Sequence, residues 1–352
     1  MKIQENIRLA PLTTLQVGGP ARYFVEASTE QEVSDAVAYA SERDLPLFVL
    51  GGGSNLVIAD AGWPGLAVKI ALSGIDTEKA GSDRMFSAAA GEDWDRFVAL
   101  TVGKGCAGVE CLSGIPGTVG GTPVQNVGAY GQEVSQTIAG VRVLEIATGK
   151  TLEFDNAACG FAYRTSVFNT TQRGRHIVLK VVFRLQNGGK PTIEYADLKR
   201  FFGTVPNPTL QQVRDAVRSI RQSKAMLLVE GDEDCRSAGS FFKNPVVSMA
   251  EADRVQALAA QRAPGKVLPK FPAADGHIKL AAAWLVEQAG FYKGYSRGSV
   301  GISRKHTLAL VNRGGASAND ILGMKDEVVN KVMDIWGVRL QPEPVFIGFD
   351  PL

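Results

Sequence analysis

The segment Ser113-Gly114-Ile115-Pro116-Gly117-Thr118-Val119-Gly120-Gly121-Thr122-Pro123-Val124-Gln125-Asn126-Val127-Gly128-Ala129-Tyr130-Gly131 carries six glycines in nineteen residues, with apolar residues between them. Such a stretch forms neither a regular helix nor a regular strand. It stays ordered only if it wraps around something. A second, shorter run, Gly51-Gly52-Gly53-Ser54-Asn55, lies upstream. Consecutive glycines let backbone N–H groups converge on an anion without a Cβ in the way. Ser54 and Asn55 add side-chain hydrogen bonds there. Either run alone is equally a structural turn. Together they point to a diphosphate-bearing cofactor.

The pattern around these turns restricts the fold. Ser28 and Thr29 stand three residues before Gln31 and Glu32, and Val33, Ala36, Val37 and Ala40 follow at helical spacing, so 30–43 reads as a helix. Leu45–Leu50 reads as a strand, and Leu56–Ile58 as another directly after the turn. A dinucleotide-binding Rossmann unit needs strand, glycines and then helix, so that fold is disfavoured. Phe86–Ala90, Val141–Ile146 with Thr151–Phe154, and the alternating 176–185 read as strands, the last half-exposed. Helices are expected from Trp94 to about Gly103, after the Thr209/Gln212 box, and over 249–260, 279–289 and 319–336. Glu230 to Asp234 reads as an exposed acidic loop, and His306–Val311 and Val345–Ile347 as strands. Strands and helices alternate without regular βαβ spacing, which indicates α+β.

Composition removes several function classes. Lys+Arg 38 against Asp+Glu 36 gives no basic bias for nucleic acid, and no basic stripe appears. No apolar run is long enough for a signal peptide or a membrane span, so a cytoplasmic protein is expected. The four cysteines form no C-x-x-C pair and read as reduced thiols, and Asn169-Thr170-Thr171 reads as a chance glycosylation match. None of the three histidines sits at metal-ligand spacing, and G-x-S-x-G does not occur. Gly149-Lys150-Thr151 resembles a P-loop end, but Leu144 stands where its first glycine belongs.

Three further segments carry chemistry. In Gly239-Ser240-Phe241-Phe242-Lys243-Asn244-Pro245, Ser240 is either a buried strand-end residue or a hydroxyl proton donor held in an apolar site. A serine protonates a strongly basic carbanion if geometry is fixed and water excluded. Arg164, in Tyr163-Arg164-Thr165-Ser166, offers a fork for a substrate carboxylate. Glu343 is held between Pro342 and Pro344. Taken singly, each charge would read as an ordinary surface group.

In this order, GGGSN, SGIPGTVGGTPVQNVGAYG, YR-x-S, GSFFKNP and PEPVFIG closely resemble the UDP-N-acetylenolpyruvoylglucosamine reductases, flavin enzymes of bacterial peptidoglycan synthesis. The resemblance runs from Thr14 to Gly348. It implies an α+β, FAD-binding two-domain fold of the vanillyl-alcohol-oxidase type with a C-terminal α+β substrate domain. The expected boundaries are 1–70 and 71–222 for the two FAD-binding parts and 223–340 for the substrate domain, with 341–352 packing back on the first. It implies non-covalent FAD, with Gly51, Gly52, Gly53, Ser54, Asn55, Ser113, Gly114, Ile115, Pro116, Gly117, Gly120, Gly121, Asn126, Gly128, Ala129 and Tyr130 along it. NADPH reduces the flavin and leaves, and the enolpyruvyl ether of UDP-N-acetylglucosamine takes its place. Flavin N5 delivers hydride to the terminal alkene carbon. Ser240 matches the proton donor to the other carbon, and Arg164 and Glu343 the pair that stabilises the enolate carboxylate.

Tyr195 matches a substrate-contacting tyrosine, and Lys224 and Asn244 match groups near the UDP diphosphate. Tyr195 and the length indicate the longer subtype, with a substrate-covering third domain. Two places depart from the family pattern. The 225–236 stretch is longer and more acidic, and the lid loop 261–272 lacks the usual tyrosine; Arg262 and Phe271 stand there instead, and that contact stays unassigned. Two rival readings follow from the same residues. A same-fold alcohol or sugar oxidase often attaches flavin through His or Cys near the first glycine turn, and 45–65 contains neither. An inactive nucleotide-sugar binding protein would lack Ser240, Arg164 or Glu343, and all three are present. The sequence does not give the oligomeric state; a monomer is favoured.

Overall fold

The first glycine turn leaves one sheet and the second follows a helix, and the fold brings them face to face. The computed structural model describes residues 1–349. Its helices are α1 (Glu30–Glu42), α2 (Trp94–Gly103), α3 (Ala196–Phe202), α4 (Leu210–Ser223), α5 (Met249–Arg262), α6 (Ala282–Glu287) and α7 (Ala318–Trp336). The N-terminal sheet runs in the order Gln4–Arg8, Pro20–Ala27, Trp63–Ile70, Leu47–Leu50, and its last two pairings are parallel. The larger sheet is antiparallel, in the order Thr151–Asp155, Ile138–Glu145, His176–Asn187, Asp83–Ala89, Ile75–Ala80, with Cys106–Ala107 also pairing with the long strand. This mixture of helix and sheet is an α+β fold.

One apolar core joins α1, the inner face of the N-terminal sheet, α2 and the larger sheet. Phe97 and Phe183 meet at 4.8 Å between ring centres, and Trp94 Nε1 donates to Leu112 O at 3.0 Å. A second core gathers α5, α6 and α7 around Trp284 and Trp336, 5.2 Å apart, and includes Phe241 and Phe242 beside Ser240. Strand Val345–Ile347 pairs in parallel with Leu56–Ile58, which sets the Pro342-Glu343-Pro344 segment against the first glycine turn.

Helix α4 clamps the start of the second glycine segment. Arg214 forks onto Asp95 at 2.6 and 3.0 Å, and Arg218 also pairs with Asp95. Gly114 N donates to Asp95 at 2.6 Å, and Arg221 Nε donates to Gly114 O at 3.0 Å. Burial alone would raise the Asp95 pKa, but the hydrogen bonds from Arg214 and Gly114 and the Arg214 and Arg218 charges outweigh it, so the net shift is downward. A depressed carboxylate pKa contributes stability that is present above the unfolded value, roughly 4, and is lost as pH falls through the folded value. Asp95→Asn is therefore expected to cost about 2 kcal/mol at neutral pH, below the roughly 3–5 of a fully buried broken pair. It should also flatten the acid limb of the stability curve. Chemical denaturation from pH 3 to 7 checks both.

Several sequence expectations are corrected. Helix α6 starts only at Ala282, because Ile278–Leu280 is a strand between Val246–Val247 and Lys270–Pro272. His306 lies in a turn, and the strand is confined to Leu310–Asn312. Ser303 Oγ accepts from the backbone N–H of Lys305 and His306 at 3.0 and 3.3 Å, which closes that turn. The acidic stretch is not simply an exposed loop. Asp234 is buried, accepting from Ser303 Oγ at 3.2 Å and Arg304 N at 3.0 Å, with the Arg313 guanidinium 3.8 Å away. Strand His176–Asn187 is buried on both faces where Ile177, Val178 and Leu179 follow one another, because its second face is the wall of a cleft.

Candidate active site

A cleft of about 1200 Å³ runs between the two glycine turns and on to the Ser240 segment. It exceeds the roughly 300–1,000 Å³ usual for a single small ligand. Gly51 to Asn55, Ile115, Pro116, Gly117, Gly120, Gly121, Gly128, Ala129 and Tyr130 line it, as do Arg164, Tyr195, Lys224, Ser240, Asn244 and Glu343. Ser113, Gly114 and Asn126 do not. Ser113 Oγ donates to Glu110 O at 2.6 Å, Gly114 is held by Asp95 and Arg221, and Asn126 Nδ2 donates to Glu133 at 2.8 Å. These three shape the loop from behind.

The glycines are needed for a reason sequence alone did not give. A Cβ on Gly52 would lie 2.5 Å from Gly117 Cα, one on Gly53 1.9 Å from Leu12 O, and one on Gly120 2.6 Å from the Ala90 Cβ. The turns thus touch each other and the scaffold backbone to backbone. Ser54 Oγ donates to Pro116 O at 2.9 Å, and Asn55 Nδ2 to Gln125 at 2.6 Å and to Glu343 O at 3.3 Å. These side chains were expected to reach an anion; instead they donate to the protein and stitch three segments together.

The backbone remains for the anion. The five N–H groups from Gly51 to Asn55 donate to no other protein group among the described residues, and the same holds for Gly117 and Thr118. Around Gly121 a Cβ would meet no protein atom within 4 Å. Unpaired backbone donors are costly unless water or a ligand takes them. Converging on one cleft, they form an anion cradle, and they fit a diphosphate.

At the other end four segments meet. Phe241 N donates to Leu308 O at 2.7 Å, and Glu343 N to Phe241 O at 2.8 Å. Ser240 thereby sits between the His306 turn and the Glu343 segment, its Oγ 3.3 Å from His306 Nε2. Burial and the Lys224 and Lys293 charges push the His306 pKa down to about 4, so the ring is neutral near pH 7. Arg164 occupies the left-handed region, φ +55, in a tight turn where Ala162 and Thr165 bond each other, and Asn169 Nδ2 donates to its carbonyl at 3.1 Å. Asn169 is thus a structural residue. Arg164 Nε lies 3.1 Å from Glu343 Oε1, while its terminal nitrogens make no hydrogen bond to the protein among the described residues. The free end of the fork is what a substrate carboxylate requires.

Tyr195 caps α3 and meets the Tyr130 ring edge-on at 5.4 Å; burial pushes the Tyr130 hydroxyl up to about 12. Lys224 Nζ pairs with Asp197 at 2.5 Å. Asn244 Oδ1 accepts from Ala282 N at 2.9 Å, capping α6 and leaving its amide N–H groups. Phe271 lines the cleft and Arg262 does not. Burial raises the pKa of all four free cysteines, so none is a ready thiolate. His306 was not singled out from sequence; no local motif marks it, and only the fold carries it to Ser240.

Residues 231–347 match the family described as UDP-N-acetylenolpyruvoylglucosamine reductase, C-terminal domain, and residues 21–155 match the FAD binding domain family. A relative from Thermobifida fusca, named UDP-N-acetylenolpyruvoylglucosamine reductase, is 47% identical over 97% of each chain. This chain belongs to the UDP-N-acetylenolpyruvoylglucosamine reductase family. A Streptomyces avermitilis reductase of the same name is 45% identical over 97% of this chain and 94% of its own. The crystal structure of the Thermus caldophilus reductase is 25% identical and superposes with a TM-score of 0.67 over 99% of both chains. The flavin-domain match contains both glycine turns, and the C-terminal match contains Ser240, His306 and Glu343. Among the described residues no helix is long and apolar enough to cross a membrane.

Proposed function

We propose that the chain reduces the enolpyruvyl ether of UDP-N-acetylglucosamine to UDP-N-acetylmuramate with NADPH, on non-covalent FAD, as a cytoplasmic step of peptidoglycan precursor synthesis. The observation that carries this reading is the placement of Ser240 and the open fork of Arg164 in one cleft with the unpaired N–H groups of the first glycine turn. The two glycine turns would hold the FAD diphosphate. When bound, FAD would supply hydride transfer between NADPH and the terminal alkene carbon.

The protein handles the proton and the charge. Ser240 Oγ gives its proton to the other alkene carbon. Arg164 presents its terminal nitrogens to the substrate carboxylate, and Glu343 steadies the Nε side so that the fork keeps one orientation. Negative charge grows on that carboxylate as the hydride arrives, so the fork acts on the transition state, where one preorganised donor is worth roughly 3–4 kcal/mol. Tyr195 closes over the substrate, and Lys224 and Asn244 face its diphosphate. To do so, Lys224 shares its ammonium with Asp197. The domains at 1–70, 71–222 and 223–340 would close around this cleft.

NADPH and the substrate use the same cleft in turn. Steady-state NADPH oxidation, followed at 340 nm, should therefore require the enolpyruvyl substrate and fall again at high substrate. A curve that saturates without falling would count against the shared cleft. NADPH consumption that is indifferent to the substrate would count against the reaction.

A further inference from the structure

We infer that His306 is the positioning residue and proton relay for Ser240: its Nε2–H donates to Ser240 Oγ, and its ring carries a solvent proton to that oxygen after Ser240 has given up its own. This rests on the reaction proposed above. A serine hydroxyl is a weak acid because its alkoxide is poorly stabilised in an apolar site. A donor aimed at Oγ lowers that cost where the negative charge develops. Nε2 is the polar side-chain atom within hydrogen-bond reach of Ser240 Oγ among the described residues.

The surroundings suit a neutral ring. Besides burial, two ammonium groups, Lys224 and Lys293, act on His306 and disfavour a third positive charge. A neutral ring is protonated on one nitrogen only, so a tautomer with Nε2–H leaves Nδ1 as an acceptor. Nδ1 has no protein partner among the described residues, yet it is not among the buried polar atoms lacking one, so it keeps contact with solvent. The ring therefore has one nitrogen on Ser240 and leaves the other open to solvent. Its position is built in: Ser303 Oγ holds the His306 N–H, and the buried Asp234 holds Ser303.

The proton balance closes. The Ser240 O–H bond breaks as C–H forms on the ether carbon. The Nε2–H bond breaks as O–H re-forms on Ser240, and Nδ1 takes up a proton from solvent. The ring ends as its other tautomer and returns by exchange with water. The net uptake is one solvent proton, which together with the hydride from NADPH saturates the C=C bond.

The test uses the FAD-loaded enzyme and separates its two half-reactions by stopped-flow. For His306→Ala and His306→Gln, flavin reduction by NADPH should stay within about twofold of the unaltered protein, while reoxidation by enolpyruvyl-UDP-N-acetylglucosamine slows roughly 10²-fold in both. Added imidazole should speed reoxidation in His306→Ala. The ¹⁵N spectrum of the His306 ring should show the neutral Nε2–H form at pH 7. Near-normal reoxidation in His306→Gln would reduce the residue to a hydrogen-bond donor and overturn the relay. So would a cationic ring at pH 7, no response to imidazole, or equal slowing of both halves. If the unaltered protein itself is reduced by NADPH but not reoxidised by the substrate, the proposed reaction fails, and this role fails with it.

Discussion

Ser240→Ala is expected to leave flavin bleaching by NADPH intact and to slow reoxidation by the enolpyruvyl substrate by roughly 10²–10⁴-fold, the range a positioned proton donor supplies. The asymmetry follows from where the hydroxyl stands. Its mapped partner is His306, and neither residue belongs to the glycine turns that would hold the cofactor. The substitution removes one oxygen from a segment fixed by backbone bonds to Leu308 and Gln341, so its geometry should survive. NADPH oxidation, which needs no proton from Ser240, proceeds. Rapid mixing of reduced protein with substrate reads the loss directly. Equal slowing of both halves would mean that Ser240 shapes the cleft and donates nothing.

The second large effect is expected at Gly52. Its missing Cβ would sit 2.5 Å from Gly117 Cα and 2.9 Å from Gly117 C, both backbone atoms with no freedom to rotate aside. Gly52→Ala therefore forces the two turns apart. The unpaired N–H groups of the first turn would no longer converge with those of the second. The added Cβ would meet only the backbone of Gly117 and Thr118 and no side chain of the two large cores around Trp94–Phe183 and Trp284–Trp336, so the chain should still fold. The expectation is a folded but colourless protein, with FAD binding weakened by at least about 10²-fold, equivalent to about 3 kcal/mol. Quenching of FAD fluorescence on titration measures it, with circular dichroism as the control for folding. Full retention of FAD would show that the two turns are not the cofactor cradle.

The helices were the most legible part of the fold, because capping boxes are local. Thr209 with Gln212, Ser248 with Glu251 and the apolar spacing of α1 and α7 mark helices where the structure has them. Strands were read less completely. Pro20–Ala27 and Trp63–Ile70 show no clean alternation, because both faces are partly covered. The false helical start at 279 arises because Ile278–Leu280 is fixed by cross-strand pairing on both sides, with Lys270–Pro272 and with the more distant Val246–Val247, which no local spacing shows.

The site divides in the same way. Glycine turns announce themselves, but whether a glycine is needed for a ligand or for a neighbouring backbone depends on what packs behind it. Gly52 and Gly53 are pressed against protein, and Gly121 faces open space. Ser113, Gly114 and Asn126 lie within the telling motif yet serve the scaffold. Asp234 looked like solvated charge until Ser303 and Arg304 were placed on it. His306 stands 66 residues from Ser240, and only tertiary structure joins them.

The most direct measurement is an anaerobic visible spectrum of the FAD-loaded protein, taken before and after NADPH and again after enolpyruvyl-UDP-N-acetylglucosamine. Flavin absorption should bleach with NADPH and return with the substrate. A protein that takes up no FAD, or one that bleaches and stays bleached when the substrate is added, would contradict it.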